Sequence, residues 1–255
     1  MPLELLTIPC LTDNYAYLIH DSASSQTAVI DVPEAGPILG ALDERGWTLS
    51  DILITHHHSD HIQGVEALRA ATGAMVLGAA ADAHRLPRLD LALTEDSGFS
   101  IGTEFPRVID VPGHTIGHIA YHFAESGLAF TGDSLMSGGC GRLFEGTPAQ
   151  MYQSLCTLAA LPPGTLICSG HEYTTTNLAF AATLEPGNPA LMSRIAATAA
   201  LRAKGIPTVP VTLAVELETN PFLRVAAPSI RSALDLTVAE NIPVFAEIRA
   251  RRNRF

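Results

Sequence analysis

The chain has 255 residues, which at about 150 residues per domain predicts one or two domains with a substantial core. Its 15 basic and 26 acidic residues give a net charge of −11, which argues against a nucleic-acid-binding protein because such proteins carry a basic face. Apolar runs stop well short of the ~20 residues that span a bilayer, and Glu4 stands where a signal peptide carries a basic residue. We therefore expect a cytoplasmic protein whose four cysteines, which form no CxxC pair, are reduced thiols.

Up to about residue 174, short apolar strands alternate with turns and a few helices. The pattern predicts strands at Leu3–Cys10, Tyr15–His20, Ala28–Val32, Asp51–Thr55, Ala74–Leu77, Arg107–Val111 and Leu166–Ser169, and a hairpin of His118–Phe123 with Leu128–Thr131. Helical spacing of apolar residues predicts helices at Pro37–Arg45, Ile62–Ala71 and Ala149–Leu161. The rest of the chain is Ala-rich and helical, at Leu178–Leu184, Pro189–Ala203 and from Ser229 onwards. We predict two domains, an α/β domain over residues 1–173 and a smaller, mainly helical domain over residues 174–255.

A histidine-rich loop, THHHSDH, directly follows the predicted strand Asp51–Thr55. Side chains alternate along an extended loop, so His56 and His58 point to one side. Asp60 and His61 come after the chain has turned into a helix, so their side chains can bind at a second position close to the first. Imidazole and carboxylate ligands suit Zn²⁺, and also Fe²⁺ or Mn²⁺. One loop thus offers two pairs of ligands, as two neighbouring metal ions require.

Three later segments repeat one pattern, an apolar strand followed by Gly and a residue of ligand type. They supply His114 in PGHT, Asp133 in TGDS and His171 in SGHE. Ligands at several strand ends converge on one edge of a sheet. The total of five His and two Asp suffices for two divalent ions if one Asp bridges them, and we expect two per chain, with zinc favoured over iron or manganese. We interpret His57 and His118 as neighbours of the ligands.

THHHSDH, PGHT, GDS and GHEYT, in this order, resemble the metallo-β-lactamase superfamily. CGRLFEGT, GHEYTTTN and the terminal RARRNRF are similar, within that superfamily, to the hydroxyacylglutathione hydrolase (glyoxalase II) family. The resemblance covers nearly the whole chain. It implies an α/β fold, in which an αββα sandwich is followed by a smaller, mainly helical C-terminal domain that helps to bind glutathione.

The resemblance also implies the ligand set and the reaction. One ion would be held by His56, His58 and His114 and the other by Asp60, His61 and His171, with Asp133 between them. Asp60 and Asp133 would be the catalytic residues, acting on a hydroxide held by the two metals. The implied substrate is S-D-lactoylglutathione, hydrolysed to D-lactate and glutathione in the second step of methylglyoxal removal.

Glutathione carries two carboxylates, so its site should contain cations. The family pattern implies substrate contacts from Arg142, Phe144, Tyr173, Arg249 and Arg252. Phe144 stands where the family has Tyr, so one hydroxyl contact is missing. Arg252 replaces a Lys and keeps its charge.

Other functions stay open on the sequence alone. A glutathione persulfide dioxygenase should lack part of the second ligand group and the helical extension, and a periplasmic β-lactamase would need a signal peptide. A nuclease of the superfamily would carry a basic surface, contrary to the charge of −11. A zinc-storage protein would have no reason to place Asp133 and His171 on separate strands. We expect a monomer that acts on a small glutathione thioester, without a nucleic-acid or membrane partner, and we interpret Cys140 as a packing residue.

Overall fold

The computed structural model describes residues 2–255, and Met1, the first residue of the predicted first domain, lies outside the described residues. Six strands form the first sheet in chain order. They are β1 (Glu4–Cys10), β2 (Asn14–Asp21), β3 (Gln26–Ile30), β4 (Asp51–Leu53), β5 (Met75–Ala79) and β6 (Leu91–Leu93). The first three pair antiparallel, whereas β3 to β6 run parallel, so the carboxyl ends of β3 and β4 share one edge of the sheet.

The later strands build the second sheet and a small separate pair of strands. They are β7 (Arg107–Asp110), β8 (Ile119–Phe123), β9 (Leu128–Gly132), β10 (Leu135–Met136), β11 (Gly139–Cys140), β12 (Leu166–Ser169) and β13 (Val211–Thr212). Five of them pair in the order β13-β12-β9-β8-β7, and β10 and β11 form a separate antiparallel pair. β8 and β9 form the predicted hairpin, and β9 runs parallel to β12, so the residues that follow these two strands leave the sheet at the same edge.

The α-helices lie between the strands and after them. They are α1 (Ala35–Arg45), α2 (Ser59–Ile62), α3 (Val65–Thr72), α4 (Pro148–Ala159), α5 (Thr174–Leu184), α6 (Pro189–Arg202), α7 (Leu213–Thr219), α8 (Pro228–Ala233) and α9 (Asn241–Arg254). The sequence explains two of the ends. Gly46 ends α1 in the left-handed conformation, and Thr147 and Gln150 form a capping box at the start of α4. Across residues 2–255, no helix combines the length and the apolar character needed to cross a membrane.

The two sheets pack face to face over a buried layer that includes Tyr17, Tyr121 and Phe130. Helices α1 and α3 cover the outer face of the first sheet. Helix α4 and the C-terminal helices cover the outer face of the second sheet, where Leu155 and Phe245 belong to one core. The predicted αββα sandwich with a helical C-terminal part is therefore confirmed.

The short elements β6, β10, β11 and α7 were not predicted, and two further differences have a physical reason. The helix predicted at Ile62–Ala71 is interrupted, because the amide of Gly64 donates to the carbonyl of Val32 (2.9 Å), outside the helix. A Cβ on Gly64 would lie 2.8 Å from Cγ1 of Val32, so the chain approaches this loop too closely for a larger residue. The C-terminal part also contributes β13 to the second sheet, and a strand of two residues is too short to show a pattern.

Candidate metal centre

Seven potential metal ligands lie in the segments that follow β4, β7, β9 and β12. They are His56, His58, Asp60, His61, His114, Asp133 and His171. Their side chains meet at one edge of the sandwich and form two groups with Asp133 between them, and Asp31, His56 and His61 form a third set that overlaps both. The structure therefore brings together all the ligand residues that the sequence singled out.

The first group consists of three imidazoles. Nε2 of His56 and Nε2 of His114 lie 3.1 and 2.9 Å from Nδ1 of His58. In a tetrahedral zinc site with zinc–nitrogen bonds of about 2.0–2.1 Å, the ligand nitrogens are only slightly farther apart than the nitrogens of these three rings. Burial, together with the nearby His114, lowers the pKa of His58 to about 4, and burial places the pKa of His56 well below its usual value. These rings are therefore neutral at pH 7, which is the form that binds a metal ion.

The second group combines one carboxylate with two imidazoles. Oδ2 of Asp60 lies 3.4 Å from Nε2 of His171 and 3.8 Å from Nε2 of His61, and the two ring nitrogens are 3.3 Å apart. Burial by itself lowers the pKa of both histidines. Asp133 and Asp31 nevertheless raise the pKa of His61 to about 10, and Asp133 and Asp60 raise that of His171 to about 12. The carboxylates therefore favour a positive charge here, which a divalent cation would supply.

Asp133 lies within reach of both groups. Its Oδ2 is 3.4 Å from Nε2 of His114 and 3.3 Å from Nε2 of His171, and its Oδ1 is 3.4 Å from Nε2 of His61. The side chain is buried, and Oδ1 accepts no hydrogen bond from any residue in 2–255. A buried carboxylate oxygen without a partner is costly, and cations on its two sides would compensate it. The residues present fit two divalent ions with Asp133 between them.

Asp31 contacts two of the potential ligands, His61 directly and His56 through Thr55. Nδ1 of His61 donates to Oδ2 of Asp31 (2.7 Å), and the hydroxyl of Thr55 donates to the same oxygen (2.7 Å). That hydroxyl lies 3.0 Å from Nδ1 of His56. Partners of this kind fix the ring orientation and the tautomer of a histidine ligand. Asp31 was not among the predicted site residues, although it directly follows a strand, as several of the potential ligands do.

The turn between β1 and β2 supports the second group. Nδ1 of His171 donates to Oδ1 of Asp13 (3.0 Å), and Nδ2 of Asn14 donates to Oδ2 of Asp60 (3.0 Å). Neither residue was predicted from the sequence, because neither belongs to a recognisable motif. They can contact His171 and Asp60 because the turn between β1 and β2 of the first sheet reaches the end of β12 in the second sheet.

Two further histidines adjoin the ligands without joining either group. Nδ1 of His57 donates to Oδ2 of Asp82 (3.0 Å), on the side away from the ligands. Nε2 of His118 accepts the backbone N–H of Asp133 (3.1 Å), and its ring stacks on that of His56 with centroids 4.7 Å apart. His118 therefore helps to position Asp133.

A cavity of about 500 Å³ opens onto both groups. Four of the five residues predicted to contact the substrate line it, namely Arg142, Phe144, Tyr173 and Arg249. Arg252 lies behind the wall, where its Nε and Nη2 donate to Oδ1 of Asn177 (3.3 and 3.1 Å), and Asn177 lines the cavity. The cavity is therefore built from both parts of the chain.

Three arginines make one end of this cavity positive. Nη1 of Arg249 donates to the carbonyl of Cys140 (2.8 Å), while its buried Nε has no partner among residues 2–255. Burial and the nearby charges of Arg249 and Arg142 lower the pKa of Arg252, which reflects the concentration of positive charge. Such a site suits a ligand with carboxylates.

Comparisons with known proteins cover both parts of the chain. The family model described as Metallo-beta-lactamase superfamily matches residues 13–171, and the model described as Hydroxyacylglutathione hydrolase C-terminus matches residues 172–255. The hydroxyacylglutathione hydrolase of Cereibacter sphaeroides is 63% identical over 255 residues, which cover 100% of both chains. The hydroxyacylglutathione hydrolase of Ruegeria pomeroyi is 56% identical over 255 residues, again 100% of both. The BLEG-1 B3 metallo-beta-lactamase shares the fold, with a TM-score of 0.67 at 22% identity over 86% of this chain and 99% of that one.

Proposed function

Since the chain belongs to the hydroxyacylglutathione hydrolase family within the metallo-beta-lactamase superfamily, we propose that the residues around its cavity carry out that hydrolysis. The chain is a hydrolase of the glyoxalase II type. Its reaction adds water to the thioester of an S-(2-hydroxyacyl)glutathione and releases glutathione and a 2-hydroxy acid. We take S-D-lactoylglutathione, a product of methylglyoxal detoxification, as the substrate. The observation that carries the proposal is the buried carboxylate of Asp133, whose Oδ1 accepts no hydrogen bond within residues 2–255, between two ligand groups that face one cavity.

Two divalent metal ions are part of the proposal. His56, His58 and His114 would hold one ion, and Asp60, His61 and His171 the other, with Asp133 shared. Bound there, the ions would polarise the thioester carbonyl and lower the pKa of a water molecule. The imidazole and carboxylate donors favour zinc and also accept iron or manganese.

Asp60 is positioned to orient the attacking water. Its side chain lines the cavity and remains partly exposed there. The hydrogen bond from His171 holds the pKa of Asp60 well below its usual range, with Asn14 contributing in the same direction. A carboxylate with so low a pKa is a weak base, so its task is to accept a hydrogen bond from the water. The leaving thiolate needs little assistance from an acid, because thiols are far more acidic than alcohols.

The positive end of the cavity would bind the glutathione part of the substrate. Arg142 and Arg249, which line the cavity, would pair with its carboxylates, and Arg252 would act from behind the wall through Asn177. Two aromatic rings join this end to the ligand groups. Tyr173 stacks on His171 with ring centroids 4.7 Å apart, and Phe144 lies 5.3 Å from His114. Phe144 would contact the substrate through its ring alone.

We also propose that the chain works as a cytoplasmic monomer with two domains, residues 1–173 and 174–255. The first domain would carry the ligands, and the second would carry Arg249 and Arg252. The net charge of −11 agrees with a small-molecule substrate and with the absence of a nucleic-acid partner.

The test is thiol release from a panel of thioesters that pairs D-lactoylglutathione with the same acyl group on coenzyme A. We expect rapid release from the glutathione thioester and a much lower kcat/KM for the coenzyme A thioester. His56→Ala should abolish release and His57→Ala should have a mild effect, because only His56 faces the ligand group. Oxygen consumption with glutathione persulfide, in place of thioester hydrolysis, would contradict the proposal.

A further inference from the structure

The C-terminal helices hold a loop of the cavity wall in place. This loop, residues 136–141, is the end of the β10–β11 hairpin and connects the segment of Asp133 to Arg142. Three of its residues line the cavity, namely Met136, Cys140 and Gly141. Several of its backbone groups bond to side chains from residues 177–249, in addition to the pairing of β10 with β11. Its position therefore depends on the second part of the chain.

A buried ion pair makes the first of these contacts. Arg194 and Glu216 form a direct salt bridge, and the Glu216 side chain is fully buried. Oε2 of Glu216 accepts the backbone N–H of Gly138 (2.9 Å), and Nη2 of Arg194 donates to the hydroxyl of Ser137 (2.8 Å). Both members of the pair therefore contact the loop directly.

Two asparagines make further contacts, in addition to the bond from Arg249 to the carbonyl of Cys140. Nδ2 of Asn220 donates to the carbonyls of Gly139 (2.9 Å) and Met136 (3.2 Å), and Nδ2 of Asn177 donates to the carbonyl of Ser137 (3.0 Å). A Cβ on Gly139 would lie 2.6 Å from Nδ2 of Asn177, so the loop sits as close to helix α5 as a glycine allows.

We propose that Arg194, Glu216 and Asn220 are positioning residues for the substrate. They fix loop 136–141, and the loop in turn places Arg142 at the positive end of the cavity. None of the three is among the residues within 2–255 that line the cavity, so they act through the loop and not through contact with the ligand. The inference rests on the proposed function for the identity of that ligand. Contacts remote from the reacting carbonyl bind ground and transition states about equally, so their loss appears in KM.

Glu185 provides a matched control for Glu216. It is also a buried carboxylate in the C-terminal part, paired with Arg224 (2.8 Å) and Ser229, but it contacts no residue of the loop. We expect Glu216→Gln to raise KM for the glutathione thioester about tenfold, with kcat within about threefold and metal content unchanged. Glu185→Gln should leave KM at the wild-type value.

If Glu216→Gln does not fold, a milder pair of variants tests the same positioning role. Ser137→Ala removes one contact of Arg194 with the loop, and Ser229→Ala removes the equivalent contact of Glu185. Ser137→Ala should raise KM about threefold and Ser229→Ala should not. Hydrogen exchange of the peptide over residues 136–142 should accelerate about tenfold in Ser137→Ala alone.

The two readouts separate this inference from the proposed function. Wild-type protein that does not hydrolyse the thioester would overturn the function, while the exchange measurement would still decide whether the side chains hold the loop. If Ser137→Ala and Ser229→Ala gave equal KM values and equal exchange, the positioning role would be wrong.

Discussion

The carboxylate of Asp31 lies 2.7 Å from Nδ1 of His61 and ties the loop after β3 to helix α2 after β4. The two strands are parallel neighbours in register, with Ile30 opposite Leu53, so their carboxyl ends deliver both side chains to one point. The backbone N–H of Val32 also donates to the carbonyl of His61 (2.8 Å). The first sheet thus sets the orientation of His61, a ligand of the second ion in the proposal.

Removing this support should weaken metal binding without removing a ligand. We expect Asp31→Ala to lower metal affinity or turnover about 10–100-fold, since the N–H of His61 loses its acceptor. Asp51→Ala is the control, because Asp51 is equally buried but accepts from Gln26 and Ser50, away from the ligands. Metal competition with a chelator measures the difference, and equal losses in the two variants would indicate a general effect on folding.

Gly141 lies too close to the centre for a side chain. A Cβ there would lie 2.0 Å from the backbone oxygen of Asp133 and 2.8 Å from Nδ1 of His114. Gly141→Ala should therefore displace both ligands and reduce bound metal and kcat by at least tenfold. Gly40→Ala, in an open position of α1, should stabilise the protein by up to about 1 kcal/mol in chemical denaturation. Full metal content in Gly141→Ala would show that the loop relaxes away from the ligands.

The candidate ligands could be located in the sequence because they repeat a local pattern, and their binding of metal stays a prediction. His114, Asp133 and His171 each follow a short apolar strand and a glycine, and parallel or neighbouring strands deliver such residues to one edge. The resemblance to a family contributed the pairing of ligands and the arginines of the second part. Every side chain in the two ligand groups was therefore identified from the sequence, before the fold was known.

The supporting residues could not be predicted in this way. Asp13 and Asn14 reach the ligands because a turn of the first sheet meets the end of β12 in the second, and Tyr15 donates its backbone N–H to Gly170 there. Glu216 acts on a loop 78 residues earlier in the chain. These contacts depend on how the layers pack against one another. Short elements such as β13 and α7 have no hydrophobic periodicity from which that packing could be predicted.

The terminal arginines should differ in their effect on substrate binding. Arg252→Ala should raise KM for the glutathione thioester about tenfold, or about 1–2 kcal/mol for a charge-assisted contact, with metal content unchanged. Arg251→Ala is the matched control and should be nearly neutral, because Arg251 pairs with Glu247 on the exposed side of α9 (2.8 Å). Steady-state kinetics of the two variants measure the change in KM. Equal effects at both positions would point to general electrostatics instead of a glutathione site.

Cys140 should take no covalent part in the reaction. Burial raises the pKa of its thiol to about 11, although Arg249 opposes the shift, so the thiol is protonated and unreactive at pH 7–8. We expect Cys140→Ser to keep most of the wild-type activity, and alkylation to modify the exposed Cys156 first. Mass spectrometry after mixing with substrate detects acylation, and an acyl group on Cys140 with a burst of thiol would establish covalent catalysis.

Metal content per chain in Asp133→Ala tests the central claim, that two ions share this carboxylate. Wild-type protein prepared without chelator should contain about two equivalents of divalent metal, whereas Asp133→Ala should lose metal from both groups and fall in kcat by orders of magnitude. Asp110→Ala, a substitution on β7 outside both groups, should keep the wild-type content. An Asp133→Ala protein that retained two equivalents and near-normal turnover would contradict the shared-ligand account.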